Sequence, residues 1–223
     1  MSSLKYIILI ILLQLSACAK NTTGVDAMNT ALTKNYSIKN NPQNNTISYL
    51  KNTRTNIPTT SKTPQDTGFD FLHRYRKDFL LENPLQELTI ASNKKDKLGF
   101  TRIKLNQSYR GIPVWKGIIS MHFNRQNTLH LVQGQYFPTP SAIDINAGMT
   151  LTELFQKASQ INPSISQQQY SAQKIIFFRN EVNPRLAYEL KPTRHANLAS
   201  NTLVLDAITG DILNQLSAIK TLR

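Results

Sequence analysis

The four histidines of this chain are its best candidates for metal ligands, but their spacing does not form a zinc site. They are His73, His122, His130 and His195. None stands in a His-Glu-x-x-His pair, the arrangement that places two imidazoles on one helix face to hold zinc. His122 and His130 flank one predicted turn and could approach each other across strands, but two imidazoles without a third ligand make a poor site. The sequence therefore predicts neither a metal site nor a cofactor.

Two carboxylates, Asp206 and Asp211, bracket a Thr-Gly turn at residues 209–210. Paired carboxylates can act as general acid and base, but an Asp beside a turn commonly hydrogen-bonds the backbone of that turn. The pattern therefore favours a structural role. The sequence also has no Gly-x-Ser-x-Gly motif, no P-loop and no Gly-x-Gly-x-x-Gly segment. We expect a protein that is not an enzyme.

Cys18 is the only cysteine, and it follows a short apolar segment at the start of the chain. Lys5 and the apolar residues 6–15 have the pattern of a signal peptide, too short to span a bilayer. The sequence Leu-Ser-Ala-Cys at its end matches the bacterial lipobox, so residues 1–17 are predicted to be a lipoprotein signal peptide and Cys18 to carry the lipid. The alternative is a chance cysteine after an ordinary secretory signal. Ala19 at the next position favours anchoring in the outer membrane of a Gram-negative cell envelope.

Residues 18–66 are rich in Asn, Thr, Ser and Lys. A segment of this composition has little apolar surface to offset the entropy lost on ordering. We therefore expect a disordered tether. The alternative is a recognition segment around residues 47–50 that folds on a partner.

The formal net charge is +13. Nucleic-acid binding is one interpretation of such a charge, but the basic residues are scattered and are not interleaved with aromatic residues, and the protein is predicted to be exported. Attraction to an anionic membrane surface or an acidic protein fits better, and a solvated basic surface is an equal alternative. We expect no nucleic-acid partner.

The elements that would position functional groups begin with a period-two pattern. Ile103, Leu105, Gln107 and Tyr109 alternate with polar residues, which predicts a half-buried strand. The dipeptide at residues 110–111 then predicts a turn, because its glycine can adopt a positive φ.

The segment after this turn is apolar and contains a proline. Pro113 lacks a backbone donor, so residues 112–115 should lie at a sheet edge or a bulge, and a second strand follows at residues 118–123. The other elements predicted in this half are a helix at 67–81, a short strand around 88–90, a polar turn at 94–97 and a strand at 128–137.

The second half repeats the order of a helix followed by strands. A linker at residues 139–149 precedes Thr150 and Glu153, which form a capping-box signature, and an apolar face at helical spacing continues to Ile161. Strands are predicted at 174–179, 185–191, 202–206 and 211–216. A helix followed by a meander of strands therefore occurs twice in the sequence. This repeated order predicts an α+β protein of two small domains, each a helix packed on an antiparallel sheet.

Two sets of residues carry a resemblance to known domains. The first set resembles the core motif of the fungalysin/thermolysin propeptide (FTP) domain: Gln107, Tyr109, Gly111, Pro113, Val114, Trp115 and Gly117. The second set resembles the PepSY domain that follows it in thermolysin-like zinc proteases: residues 186–190 (Leu-Ala-Tyr-Glu-Leu) and residues 204–213, which include Asp206, Ala207 and Gly210. The resemblance implies an FTP-like domain at 67–138, a PepSY-like domain at 150–218 and a tail at 219–223.

The resemblance also implies a function. In thermolysin-like proteases these two domains assist folding of the catalytic domain and block its cleft until they are cleaved. The sequence therefore predicts a membrane-anchored, non-enzymatic lipoprotein that binds a separate secreted zinc metalloprotease as inhibitor or folding helper. Leu216, Ile219 and Leu222 are the predicted protease contacts.

Two alternatives remain open at this point. The chain could bind a different envelope partner, with Trp115 and Lys116 forming the contact, although Trp115 could equally be a core residue. It could also be the propeptide remnant of a truncated protease precursor.

Overall fold

The structure is a computed structural model that describes residues 30–54, 61–179, 183–194, 196 and 200–217. Within these residues the chain forms four helices and ten strands. The helices are α1 (Thr30–Asn35), α2 (Pro64–Arg74), α3 (Pro84–Glu87) and α4 (Leu151–Ile161). The strands are β1 (Tyr36–Asn40), β2 (Ile47–Asn52), β3 (Leu88–Lys95), β4 (Thr101–Tyr109), β5 (Ile112–Phe123), β6 (Leu129–Gln135), β7 (Tyr170–Arg179), β8 (Asn183–Pro192), β9 (Thr202–Asp206) and β10 (Ile212–Leu216).

The strands form two antiparallel arrays that meet at one point. The first sheet has the order β1-β2-β6-β5-β4-β3. The second sheet has the order β7-β8-β9-β10. A parallel bridge between Val114 of β5 and Ile176 of β7 joins them. The α+β class is therefore confirmed, whereas the division into two helix-on-sheet domains stays a prediction.

Helix α2 packs against the first sheet and begins earlier than predicted. The Oγ1 of Thr63 accepts the N–H of Asp66 at 3.1 Å, and Pro64 occupies the first turn, so this cap starts the helix before residue 67. The helix ends at Arg74, well before the predicted end at residue 81. Turns follow it up to Leu80, which has a φ of 55°.

The core under the first sheet includes residues from the predicted tether. Leu32, Ile47 and Leu50 are at most 1% exposed, and Leu50 pairs with Val132 of β6. The segment before β2 is tied to Tyr136, whose backbone carbonyl accepts hydrogen bonds from the side chains of residues 44 and 46. The prediction of a disordered tether is therefore wrong for residues 30–52. The alternative of a recognition segment at 47–50 that folds on a partner is also wrong, because this segment packs in the core of its own chain.

Strand β5 is one long strand interrupted by a bulge. Asn106 of β4 pairs with Ile118, whereas Ser108, two residues further along β4, pairs with Pro113. The residues of β5 between Pro113 and Ile118 therefore have no partner on β4 and form the bulge. The prediction that residues 112–115 lie at a sheet edge or a bulge is confirmed, because the bulge follows directly after Pro113. The predicted break between two separate strands is wrong, because the bulged residues stay within β5.

Helix α4 covers one face of the second sheet. Its capping box is present as predicted, with the Thr150 N–H donating to Glu153 Oε2 at 2.7 Å and the Glu153 N–H donating to Thr150 Oγ1 at 3.3 Å. Leu154, Phe155 and Ala158 are buried in a cluster formed with side chains of β7, β8 and β9. The four strands predicted for this half are confirmed, with β7 and β8 longer than predicted.

Several predicted features lie outside the described residues. They are the signal peptide at 1–17, Cys18, and the tail at 219–223 with Ile219 and Leu222. No helix in the described part of the chain combines the length and apolar character needed to cross a membrane.

Candidate binding groove at the junction of the sheets

The buried side chain of Gln107, on β4, binds the backbone of Phe137, which lies in the segment that leads from β6 to the second sheet. Its Nε2 donates to the Phe137 carbonyl at 2.7 Å, and its Oε1 accepts the Phe137 N–H at 3.0 Å. Gly117 lies against this amide, since a Cβ built there would be 2.9 Å from both the Cβ and the Oε1 of Gln107. The bulge in β5 therefore needs glycine at this position for reasons of space.

The bulge turns the chain from the first sheet to the second. Val114 is buried and pairs with Ile176, and Lys116 has a φ of 60°, in the left-handed region that side chains other than glycine adopt infrequently. This backbone path carries Trp115 to the face of the second sheet opposite α4. There it packs with Phe177, at 5.2 Å between ring centroids.

Trp115 is half-buried, and its polar edge meets a buried carboxylate. The indole N–H donates to Glu189 Oε1 at 2.9 Å, and Lys191 Nζ lies 2.8 Å from Glu189 Oε2. The Nζ of Lys116 lies 4.2 Å from the centroid of the Trp115 ring, a cation–π distance. Glu189 thus has a partner for each oxygen, as a buried charge requires.

These side chains border an open depression of about 360 Å³ at the junction of the two sheets. We call it the junction groove, and its main walls are Trp115, Lys116, Gln173, Ile175, Glu189, Lys191 and Leu216. Leu216, one of the predicted protease contacts, ends β10 and is 36% exposed. Apolar walls with a few charged groups at the rim can bind an extended peptide or a protein side chain.

The sequence motifs contain residues from both sides of this groove, but only Trp115, Lys116 and Leu216 were predicted as contacts. Glu189, Lys191 and Gln173 were not predicted as site residues. Glu189 had a detectable signal, because it is an isolated acid in the apolar run of β8, where an unpaired charge would be costly.

The remaining motif residues of the first set shape the backbone. Arg110 and Gly111 have φ values of 49° and 82° and form the turn between β4 and β5. Tyr109 is buried in the cluster beneath the second sheet, beside Val114.

Asp206 organises the turn between β9 and β10. Its Oδ1 accepts the N–H groups of Ile208 and Thr209 at 2.9 and 3.1 Å, and its Oδ2 accepts Arg185 Nη1 at 3.0 Å. Burial opposes ionisation of this carboxyl, but these hydrogen bonds outweigh burial and hold its pKa below the ordinary value. Next to it, Ala207 is fully buried and Gly210 has a φ of 77°.

The histidines do not assemble a metal site within the described residues. The rings of His122 and His130 lie 6.2 Å apart across β5 and β6, as their spacing suggested. His73 is exposed near the end of α2, and His195 lies outside the described residues. Among the described residues no three potential ligands of the His, Cys, Asp or Glu type lie close enough to hold a metal ion.

Most of the first sheet lies in a stretch that matches a known sequence family. Residues 86–136 match the Fungalysin/Thermolysin Propeptide Motif. This stretch runs from α3 to the residue after β6 and contains Gln107, the bulge of β5 and Trp115, so the propeptide motif supplies one wall of the junction groove.

The chain is also similar to thermolysins over a longer stretch. It is 24% identical over 162 residues to the thermolysins of Alicyclobacillus acidocaldarius subsp. acidocaldarius, Bacillus caldolyticus and Bacillus sp. (strain EA1). The match covers 68% of this chain but 30% of those proteins, within their propeptide region and outside their catalytic domain. The chain therefore spans less than a third of the length of these relatives.

A solved structure covers a similar share of the chain. The Bacillus megaterium YpeB C-terminal domain aligns with 82% of this chain and 81% of its own, at 11% identity and a TM-score of 0.39.

Proposed function

We propose that this chain is a propeptide-like module that binds a separate, secreted thermolysin-like zinc metalloprotease, as inhibitor or folding helper. The observation that carries the proposal is the match of residues 86–136 to the propeptide motif, extended by similarity to the propeptide region of thermolysins. The two outcomes, inhibition and assisted folding, both need a surface that recognises the catalytic domain.

The junction groove and β10 are the surface that we assign to this contact. The groove offers the half-buried ring of Trp115 beside the cations of Lys116 and Lys191. Within the described residues β10 pairs with β9 alone, so its other edge presents backbone donors and acceptors that a partner strand could use. Leu216 ends this strand at the groove, and the chain beyond it would lead toward the protease cleft.

Retention of a protease on the immobilised chain tests the proposal. The 223-residue chain is coupled to a support, and a purified thermolysin-like protease secreted by the source organism is passed over it. Leu216→Ala should weaken retention on the order of tenfold, the effect of removing a central apolar contact. Leu98→Ala is the matched control, because Leu98 is 64% exposed in the turn between β3 and β4. Equal retention by the two variants would remove Leu216 from the contact, and no retention by the unmodified chain would oppose the proposal.

Lipid anchoring at Cys18 is a separate part of the proposal. It is supported by the short apolar segment that ends in Leu-Ser-Ala-Cys. Mass spectrometry of the mature chain should show loss of residues 1–17 and addition of acyl groups, and Cys18→Ser should leave the protein without lipid. Membrane fractionation should place the lipidated form in the outer membrane, whereas recovery of an unacylated mature chain would contradict the anchor.

A second candidate function is an envelope binding module whose partner is not a protease. The exposure of the Trp115 ring beside the positive charge of Lys116 favours this reading, since aromatic and cationic groups are common anchors in interfaces. Lack of protease retention together with loss of a different envelope partner in Lys116→Ala would support it over the first proposal.

A further inference from the structure

The first sheet has a strongly basic composition. None of its six strands contains Asp or Glu, whereas they carry seven Lys or Arg residues and two His residues. One face of this sheet packs on the core with α1 and α2. The cationic residues whose strand positions alternate with the core residues lie on the other face, for example Arg102 and Lys104 on either side of Ile103.

Strand register brings several of these cationic groups into one row. Lys94 of β3 is opposite Arg102 of β4, and Arg102 is opposite His122 of β5. His122 is in turn opposite Leu131 of β6, which pairs with Lys51 of β2. Residues opposite each other in neighbouring strands have adjacent side chains. The register therefore concentrates positive charge at one end of the first sheet.

A cavity of about 540 Å³ opens at this end of the sheet. We call it the histidine pocket, and its polar and aromatic walls are Lys94, Lys95, Phe100, Arg102, His122 and His130. It lies at the end of β5 opposite to the bulge, so it is separate from the junction groove. Phe100 closes one side, with its ring 6.3 Å from that of His130.

The positive groups of the histidine pocket outnumber the one acidic residue among its lining residues, Asp96. The Oδ1 of Asp96 accepts the N–H groups of Leu98 and Phe100, both at 2.9 Å, and so holds the turn. The three ion pairs found among the described residues join Lys62 with Asp70, Arg185 with Asp206, and Lys191 with Glu189. The charges of Arg102, Lys94 and Lys95 therefore have no acidic partner in the described part of the chain.

The two histidines of the pocket have few hydrogen-bond partners for their ring nitrogens. Nδ1 of His130 is buried and has no hydrogen-bond partner among the described residues, and Nε2 of His122 has only a long contact of 3.4 Å to Gln133. Unsatisfied buried polar atoms are uncommon in folded proteins. A bound anion beside His122 would offer its ring a strong acceptor, whereas Nδ1 of His130 is too buried to contact an anion in the open pocket.

We propose that the histidine pocket binds a phosphate group. Arg102 supplies a planar guanidinium suited to two oxygens of a tetrahedral anion, and Lys94 and Lys95 add compact positive charges. The pocket volume lies within the range of about 300–1,000 Å³ that small-molecule sites occupy, which leaves room for the organic part of a phosphate ester beside Phe100. This site goes beyond the protease contact proposed above, and its test does not depend on a protease.

The same geometry couples anion binding to proton binding. Burial, followed by the charges of Arg102 and His130, lowers the pKa of His122, and burial and then Lys51 lower the pKa of His130. The charged groups around the two rings are Lys51 on β2, Lys94 and Lys95 on β3, Asp96 in the turn and Arg102 on β4. A phosphate group would offset these positive charges and raise both pKa values.

The test is a titration of the 223-residue chain with inorganic phosphate, followed through the ring signals of its histidines by NMR. The signals of His122 and His130 should shift and saturate, while that of His73 stays constant. Arg102→Gln should weaken binding on the order of tenfold, the usual loss for a charge-assisted hydrogen bond. Lys104→Gln is the matched control, because it removes the same charge two residues along β4 and outside the pocket.

Vesicles distinguish the source of the phosphate group. Co-sedimentation is measured with vesicles of phosphatidylcholine alone and of phosphatidylcholine mixed with phosphatidylglycerol. If the chain binds the mixed vesicles and Arg102→Gln abolishes that binding, the ligand is a lipid headgroup. If the chain binds inorganic phosphate but no vesicles, the ligand is a soluble phosphate ester. Equal losses in Arg102→Gln and Lys104→Gln would show diffuse attraction and overturn the pocket, as would absence of binding to both phosphate and vesicles.

Discussion

Replacement of Gln107 by Ala should destabilise the fold more than any surface change in the same sheet. Gln107 is 2% exposed, and its amide satisfies both the N–H and the carbonyl of Phe137, a residue that is itself 4% exposed. In the Ala variant neither backbone group has this partner. The Gln107 side chain also fills the space against Gly117, so its removal leaves a cavity.

The magnitude follows from the two lost hydrogen bonds. Leaving a buried donor or acceptor unsatisfied costs about 1–3 kcal/mol, so the two groups of Phe137 together should lower the free energy of unfolding by about 2–6 kcal/mol. Gln107→Glu separates the two bonds, because a carboxylate can accept the Phe137 N–H but repels the Phe137 carbonyl. The folded-state pKa of the introduced carboxyl should therefore be raised. The loss in free energy of unfolding caused by Gln107→Glu should shrink as the pH falls through that pKa toward about 4.3, the unfolded value.

Urea unfolding followed by fluorescence measures this effect. Trp115 is the only tryptophan in the chain, and its contacts with Phe177 and Glu189 make its emission sensitive to unfolding. Gln126→Ala, in the exposed turn between β5 and β6, is the control and should change the free energy of unfolding by less than about 0.5 kcal/mol. A loss below about 1 kcal/mol in Gln107→Ala would refute the assigned role of the amide.

Three further predictions concern other parts of the molecule. Leu50→Ala should lower the free energy of unfolding by about 2–5 kcal/mol in urea titrations, because its side chain is fully buried, whereas a residue of a free tether would have no effect. Asp206→Asn should lose about 1 kcal/mol or more at neutral pH, and the difference from the unmodified chain should disappear in acid. The reason is that the lowered pKa of Asp206 stabilises the fold above the unfolded value of about 3.9 and ceases to do so as the pH falls through the folded pKa. Sulfate binding measured by calorimetry should tighten as the pH falls through and below about 6.5, the ordinary histidine value, because the pKa values of His122 and His130 are lowered and a bound anion favours their protonated forms while sulfate keeps its charge. An affinity that does not change with pH over this range would show that the two rings do not contact the anion.

Local signals in the sequence predicted the elements that local chemistry determines. Alternation along β4, the capping box of Thr150 and the missing donor of Pro113 each act within a few residues, and the structure has the corresponding strand, helix start and bulge. The prediction of a helix at residues 67–81 is wrong at both ends, because the local cap of Thr63 starts the helix before residue 67 and the helix ends at Arg74.

Long-range pairing explains what the sequence did not reveal. Residues 30–52 have the composition of a disordered segment, yet Leu32 and Leu50 are buried and β2 pairs with β6, about eighty residues further along the chain. The composition of a segment describes that segment alone, so it cannot indicate a strand partner that lies about eighty residues away in the sequence. The junction groove was half predicted for the same reason, since Trp115 and Glu189 lie in two separate sequence motifs and their hydrogen bond across the two sheets could not be predicted from either motif.

The central claim is that the chain recognises a thermolysin-like protease, and inhibition kinetics test it most directly. The 223-residue chain is titrated into a purified secreted metalloprotease of the source organism while peptide hydrolysis is followed. A refolding assay of the same protease with and without the chain runs beside it. We expect either saturable inhibition that weakens when residues 217–223 are deleted or a higher yield of active protease on refolding. No inhibition together with an unchanged refolding yield would contradict it.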